Sequence, residues 1–182
     1  TLPVEEMRAG MAEVIKHAII GAPDLFTELA PARSPITAAQ LARSIQVKID
    51  VVQQDPFEGG RRAVLNLGHT TDHGLERLSR YQIRHGEAVS MGLLAAARIA
   101  PKMGLAAATL PDRIQAVLAA WHLPTACPPY DADAILAAMA HDKKKRGGRL
   151  RWVLPRRIGQ VDIFEDVPSD MVKSVLREMG AS

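Results

Sequence analysis

Cysteine is almost absent: Cys127 is the one thiol in 182 residues. No internal disulfide can form and no cysteine-based zinc site can be assembled, so the chain suits a reducing compartment. Any metal must be held by histidine and carboxylate. Aromatic residues are scarce at 4%, and the net charge is only +3. Little is left from which to build a base-stacking surface, and nucleic acid is not an expected partner. No apolar run approaches the roughly 20 residues of a membrane-spanning helix, and the first residues lack the basic-then-apolar pattern of a secretory signal. A cytoplasmic protein without a membrane partner is expected. What is present is ordinary for a globular domain: 47% hydrophobic and 24% charged residues, in a length that suffices for one good-sized core.

The patterning is mostly helical. Thr1 and Pro3 precede Val4, Met7, Met11, Val14, Ile15, Ala18 and Ile19, a helical spacing that predicts a first helix to about Ile20. Gly21-Ala-Pro23 breaks it, and a short helix Asp24–Leu29 and a loop from Pro31 to Pro35 follow. Thr37 caps a longer helix that places Leu41, Ile45, Ile49 and Val52 on one face, with Lys48 at its edge, and Asp55-Pro56 ends it. Further helices are expected from about His69 to Leu78, Gly86 to Met103, Pro111 to Trp121, Ala132 to Ala140 and Pro168 to Met179, with a basic loop from His141 to Gly148. Leu150, Trp152 and Leu154, then Val161 and Ile163, alternate as a β-hairpin would. The expected fold is mainly α: one multi-helical domain over 1–182 with a short β-hairpin near the C-terminus. The start at Thr1-Leu2-Pro3, already at a helix cap, reads as the rear part of something longer.

The chemistry concentrates in a few segments. Asn66-Leu-Gly-His69-Thr-Thr-Asp-His73, with Glu76 one turn on, sets two histidines four residues apart on one helix face. That geometry suits a metal ligand paired with an acid–base group, and it is also what two histidines on a partly exposed helix look like. A protease-type HExxH is excluded, because Thr70 stands where the general-base glutamate would be. His85-Gly-Glu87 opens the next helix, and Glu13-x-x-Lys16-His17 lies among apolar neighbours, where a carboxylate needs a cation or a proton. Glu13, His69 and His85 would supply one oxygen and two nitrogens, the donor set of a catalytic zinc-type site with positions left open. Lys48 beside an apolar helix face, with Arg62 near Asn66, reads as an anion pocket for carboxylate or phosphate. The run Lys143-Lys-Lys-Arg146 is either part of that pocket or a solvated loop.

Taken together, Gly10-Met-Ala-Glu-Val-Ile-Lys16, Lys48, Asp55-x-x-Glu58-x-Gly-x-Arg62, Leu65-Asn-Leu-Gly-His-Thr70, His73, His85-Gly-Glu-Ala-Val89 and Asp142-Lys-Lys144 resemble the C-terminal half of 3-dehydroquinate synthase, in order and spacing along essentially the whole chain. The resemblance implies a phosphate-eliminating lyase of the shikimate pathway, on the route to aromatic amino acids. It would convert 3-deoxy-D-arabino-heptulosonate 7-phosphate to 3-dehydroquinate with NAD+ and a divalent metal, Zn2+ or Co2+. The implied metal ligands are Glu13, His69 and His85. Glu58, His73 and Lys16 take the catalytic positions. Lys48, Arg62, Asn66, His69, His85 and one lysine of the Asp142-Lys-Lys motif, best matched by Lys143, take the substrate. An N-terminal NAD-binding domain, absent from this chain, is the implied partner in a homodimeric enzyme, and without it the chain is expected to be inactive. Two departures stand beside the site: Thr71-Asp72 where the family commonly has an aromatic-glycine pair, and Asp55-Pro56 where Asp-Glu is common. The competing readings are a cyclase of another sugar phosphate, of the sedoheptulose 7-phosphate or 2-deoxy-scyllo-inosose type, and a non-catalytic helical module in which Glu13, His69 and His85 merely pack.

Overall fold

A computed structural model describes residues 2–30, 35–57, 60–143 and 150–182, with 141–143 as backbone only. Eight helices and one hairpin follow in order: α1 (Val4–Gly21), α2 (Pro23–Leu29), α3 (Ala38–Gln54), a 3-10 segment (Arg61–Asn66), α4 (His69–Leu78), α5 (His85–Lys102), α6 (Leu110–Ala120), α7 (Ala132–Lys143), β1 (Trp152–Arg157), β2 (Gln160–Phe164) and α8 (Ser169–Glu178). The mainly α fold with its late hairpin is the one expected from the patterning. None of the described helices is long and apolar enough to cross a membrane.

Helix α5 is the axle. Between Ala88 and Ala97 its alanine-rich sequence carries no long polar side chain to interrupt packing, and every residue of that stretch is buried. Helices α1, α4, α6 and α8 and strand β1 all lie against it. Two glycines allow the closest approaches. A Cβ at Gly92 would fall 2.0 Å from the carbonyl oxygen of Gly68, and one at Gly86 would fall 2.1 Å from that of Ala9. The first contact seats the start of α4 on α5, and the second seats α1 on the first turn of α5. Gly68 itself turns the 3-10 segment into α4 at φ 84°, a left-handed conformation that favours glycine.

The ends of the elements follow local chemistry. Thr37 and Gln40 form a reciprocal capping box at the start of α3, and the Glu87 carboxylate accepts from the Arg84 backbone N–H at 3.1 Å at the start of α5. β1 and β2 pair antiparallel from Trp152↔Phe164 to Arg157↔Gln160, with an irregularity between Pro155 and Arg157, where proline has no N–H to donate. The hairpin turn is tied to α1 by Gly159 N–H donating to the Ile19 carbonyl at 2.9 Å. Cys127 is buried in the core, and burial pushes its thiol up to about 11, so it is chemically quiet.

Three local expectations are corrected. The apolar stripe of α3 does not face the core: Leu41, Ile45 and Ile49 are exposed, and the helix buries Ser44, Val47 and Val51, roughly 120° round its axis. The packing surface offered by α1 selects that second face, because His17 of α1 hydrogen-bonds Ser44 at 2.9 Å. Helix α7 does not stop at Ala140 but continues through His141 and Asp142 to Lys143, since charged residues are no barrier to helix propagation. In β1 the alternation is lost, with Trp152 through Pro155 all buried, because the strand lies between α5 and the α1 and 3-10 elements.

His17 provides a check on this packing. Burial first, then the charges of Lys16 and Lys48, hold its imidazole down to about 4 from an ordinary 6.5. Between those values the unfolded chain binds a proton that the folded chain refuses, so stability falls as pH drops from about 6.5 toward 4. Denaturant unfolding at pH 7 and pH 4.5 should show His17→Gln losing about 2 kcal/mol less than the parent across that interval. Equal losses would contradict the placement of His17.

Candidate metal centre

Three helices deliver the donors. Glu13 projects from the middle of α1, while His69 and His85 are the first residues of α4 and α5. A helix start disfavours a charged imidazolium and so keeps the ring available as a lone-pair donor. Burial, followed by the Lys16 charge, holds the His69 ring down to about 4. One ligand atom from each of Glu13, His69 and His85 lies within 4.8 Å of the others. The two imidazole rings meet edge to face at 5.4 Å between centroids.

The hydrogen bonds around the cluster fix which atoms face inward. His69 Nδ1–H donates to the Leu67 carbonyl at 3.2 Å, and His85 Nδ1–H donates to Glu76 Oε1 at 3.1 Å. Both rings therefore hold their protons on Nδ1 and turn Nε2 lone pairs toward Glu13, each 3.9 Å from Glu13 Oε1. Glu13 Oε2 is taken by Lys16 Nζ at 2.7 Å, and burial of Glu13 is outweighed by that lysine's charge and hydrogen bond, so its carboxyl sits below the ordinary range. Glu13 Oε1, in contrast, is buried with no hydrogen-bond partner. A divalent ion held at about 2.1 Å by such ligands needs donor atoms roughly 3.5 Å apart in tetrahedral geometry; the two pairs that involve Glu13, at 3.9 Å, are close to that, and all three atoms lie within 4.8 Å of one another. The residues present fit a metal of zinc type.

The other candidate residues are placed as follows. Lys16 is buried against Glu13, and burial lowers its pKa more than that partner raises it. Lys48 is exposed on α3, near enough for its charge to lower the pKa values of Lys16 and His17. His73 stands one turn after His69 on α4, its ring 6.0 Å from the His69 ring and its side chain 44% exposed. Arg62 and Asn66 lie on the 3-10 segment that leads into α4. The Arg62 backbone N–H donates to Asp55 Oδ2 at 2.9 Å, and Asp55 also takes the Gly60 N–H at 2.8 Å. Asp55 thus organises the turn that carries Arg62. Glu58 and Lys144 lie outside the described residues, as does the side chain of Lys143.

Two carboxylates beneath the cluster had no assigned role in the sequence. Glu76 orients His85, and the signal for it was available, since residues 69, 73 and 76 share one face of α4. Asp72 is fully buried. Burial, then the Glu76 charge, pushes its carboxyl up to about 8. Nothing in the spacing announces that an aspartate lies there between histidines.

Comparison with known proteins gives a consistent answer. A family model for the 3-dehydroquinate synthase C-terminal region matches residues 10–145. A 3-dehydroquinate synthase of Synechocystis sp. is 46% identical over 97% of this chain, and that of Nostoc punctiforme is 42% identical over 98%. In both cases the chain spans about half the length of the relative, 52%. Among solved structures, the 2-epi-5-epi-valiolone synthase of Streptomyces hygroscopicus, with NAD+ and Zn2+ bound, superposes with a TM-score of 0.87 at 26% identity, covering 98% of this chain and 52% of its own. A 2-deoxy-scyllo-inosose synthase complexed with carbaglucose-6-phosphate, NAD+ and Co2+ gives 0.78 at 26% identity, over 95% of this chain and 51% of its own. The chain belongs to the 3-dehydroquinate synthase family, and its matched stretch is that family's C-terminal domain.

Proposed function

We propose that this chain is the metal- and substrate-binding half of a 3-dehydroquinate synthase, a lyase that converts 3-deoxy-D-arabino-heptulosonate 7-phosphate to 3-dehydroquinate and phosphate. One observation carries the reading: Glu13 Oε1, buried and without a hydrogen-bond partner, faces two histidine nitrogens whose protons are held on the far side of each ring. The bound cofactors of the two solved relatives, NAD+ with Zn2+ or Co2+, support a divalent metal and NAD+ here. The relatives' greater length supports a partner half outside this chain, which this reading takes to be an N-terminal NAD-binding half, in a homodimeric cytoplasmic enzyme.

Glu13, His69 and His85 would hold the metal. When bound, it supplies Lewis-acid chemistry to substrate hydroxyls, and NAD+ supplies a hydride acceptor and donor. The chain's own residues do the rest. Lys48, Arg62 and Lys143 would present positive charge to the phosphate and carboxylate of the substrate, with Asn66 as a neutral donor, while Lys16, buried against Glu13, takes a catalytic position. His69 and His85 would serve as further substrate contacts. His73, partly exposed one turn from His69, is placed to take or give a proton at its ring nitrogen, with Glu58 as the second acid–base group. His85 and His73 stay half exposed, at 53% and 44%. A second wall is required to exclude water from them, which suits a cleft closed by the NAD-binding half.

Joining the chain to that half and supplying NAD+ and Zn2+ should give phosphate release and 3-dehydroquinate from the heptulosonate phosphate. The 182-residue chain alone should give neither. Product from sedoheptulose 7-phosphate in its place, or turnover by the isolated chain, would overturn the assignment.

A further inference from the structure

Helix α3 packs on α1 with its less apolar side. Leu41, Ile45 and Ile49 stay 40–47% exposed, while Ser44, Val47 and Val51 are buried. Hydrophobic burial alone favours the opposite rotation, since a leucine and two isoleucines carry more apolar area than a serine and two valines. Two contacts oppose it. Ser44 Oγ and His17 Nδ1 are hydrogen-bonded at 2.9 Å, between residues that are 1% and 7% exposed. About one turn further along each helix, a Cβ at Gly21 would fall 3.2 Å from Val47 Cγ1, so the α1 backbone lies close to α3 there. The second contact is one of shape. The first is directional, and among the described residues it is the hydrogen bond that joins the two helices. Both of its partners are buried, so breaking it leaves a polar atom unpaired away from water.

What this rotation controls is Lys48. It stands one turn after Ser44, on the border between the exposed stripe and the buried face. On α1, Lys16 is the sequence neighbour of His17, and the Lys48 charge reaches both, lowering the pKa of each. Turning α3 by about 120° to bury Leu41, Ile45 and Ile49 would carry Lys48 to the opposite flank of the α1 contact. We infer that Ser44 is a positioning residue for Lys48: its hydrogen bond to His17 fixes the rotation of α3, so that Lys48 stays on the flank of α1 that carries Lys16 and the anion pocket keeps its charge. The inference rests on the reading of Lys48 as a contact for phosphate or carboxylate. Ser44 itself touches no substrate; it acts through the direction in which its helix presents the lysine.

The test is the affinity of the 182-residue chain for inorganic phosphate, followed by amide chemical shifts in NMR, through a double-mutant cycle. Lys48→Met is expected to weaken phosphate binding about tenfold, the loss of one charged contact. Ser44→Ala, which leaves Lys48 in the chain, is expected to weaken it at least about fivefold and to have no further effect when added to Lys48→Met. His17→Leu cuts the same bond from α1 and carries the same expectation should Ser44→Ala not fold. Affinity of Ser44→Ala within about twofold of the parent overturns the inference. So does an equal loss with and without Lys48, which marks a side chain that serves the fold at large rather than the lysine. Phosphate binding that Lys48→Met leaves unchanged, or a parent that binds none, defeats the anion reading of Lys48 and the inference with it, and the Lys48→Met arm tells that failure from a failure at Ser44 alone.

Discussion

His69→Ala is expected to weaken Zn2+ binding by well over a hundredfold, more than the roughly 10–100-fold that follows loss of an outer partner to a ligand. The expectation comes from the division of labour at the site. Glu13 has one oxygen committed to Lys16 and one without a hydrogen bond, so it can supply a single strong donor atom. His85 is more than half exposed, so its ring keeps some freedom that binding must remove. His69 is the most buried of the three, 17% exposed, with its Nδ1–H given to the Leu67 carbonyl. It is also neutral across the physiological range, because burial holds it down to about 4. It offers a lone pair without first losing a proton, and its removal leaves Glu13 and His85 as the two remaining donors of the trio. Zn2+ should raise the parent's thermal midpoint, as any ligand of the folded state does, and leave that of His69→Ala almost unchanged. A similar rise in both proteins would place the ion elsewhere.

Gly86→Ala should disrupt the same site without touching a ligand. A Cβ there would meet the Ala9 carbonyl oxygen at 2.1 Å, and the carbonyl carbon and Cα of Ala9 at 2.5 and 2.6 Å. The obstacle is backbone, so no side-chain rotation relieves it, and α1 must move away from the start of α5. Overpacking of this kind costs about 3 kcal/mol or more, the upper end of the usual range. Because α1 carries Glu13 and α5 begins at His85, the displacement also separates two ligands. Loss of denaturant stability together with a large drop in Zn2+ affinity is expected. Gly10→Ala is the control: it lies one residue from Ala9 on an exposed position, a Cβ there meets nothing within 4 Å, and the replacement should stabilise the helix by roughly 0.5–1 kcal/mol. Equal effects at the two glycines would contradict the account of how α1 and α5 approach.

Much of this was legible before any coordinates. Pro3 and the Gly21-Ala-Pro23 break bound α1, Thr37 and Gln40 start α3, and the alanine-rich run of α5 announces a helix buried on most sides; each is a local signal read by local rules. The face of α3 was not legible. Hydrophobic periodicity reports which stripe is apolar, not what covers it, and Leu41, Ile45 and Ile49 stay 40–47% exposed. Helix α7 ran past its expected end because a run of charge resembles a loop but carries no breaker before Gly147-Gly148.

The site divided along the same line. Spacing could put His69 and His73 on one helix face, and chemistry could select Glu13, His69 and His85 as a donor set, since residue type and periodicity are properties of the sequence. The hydrogen bond from His85 Nδ1 to Glu76 depends on where α4 and α5 cross, and that from His69 Nδ1 to the Leu67 carbonyl on the left-handed turn at Gly68. Asp72 is the sharpest case: its identity was plain, yet its burial among three rings is a product of tertiary packing alone.

The claim on which the rest depends is that Glu13, His69 and His85 jointly hold one divalent ion. X-ray absorption at the zinc edge, on the chain loaded with one equivalent of Zn2+, addresses it directly. The account predicts two imidazole nitrogens and one carboxylate oxygen at about 2.0–2.2 Å, with water completing the shell. A shell with one imidazole or none, or the same shell in Glu13→Ala, would contradict it.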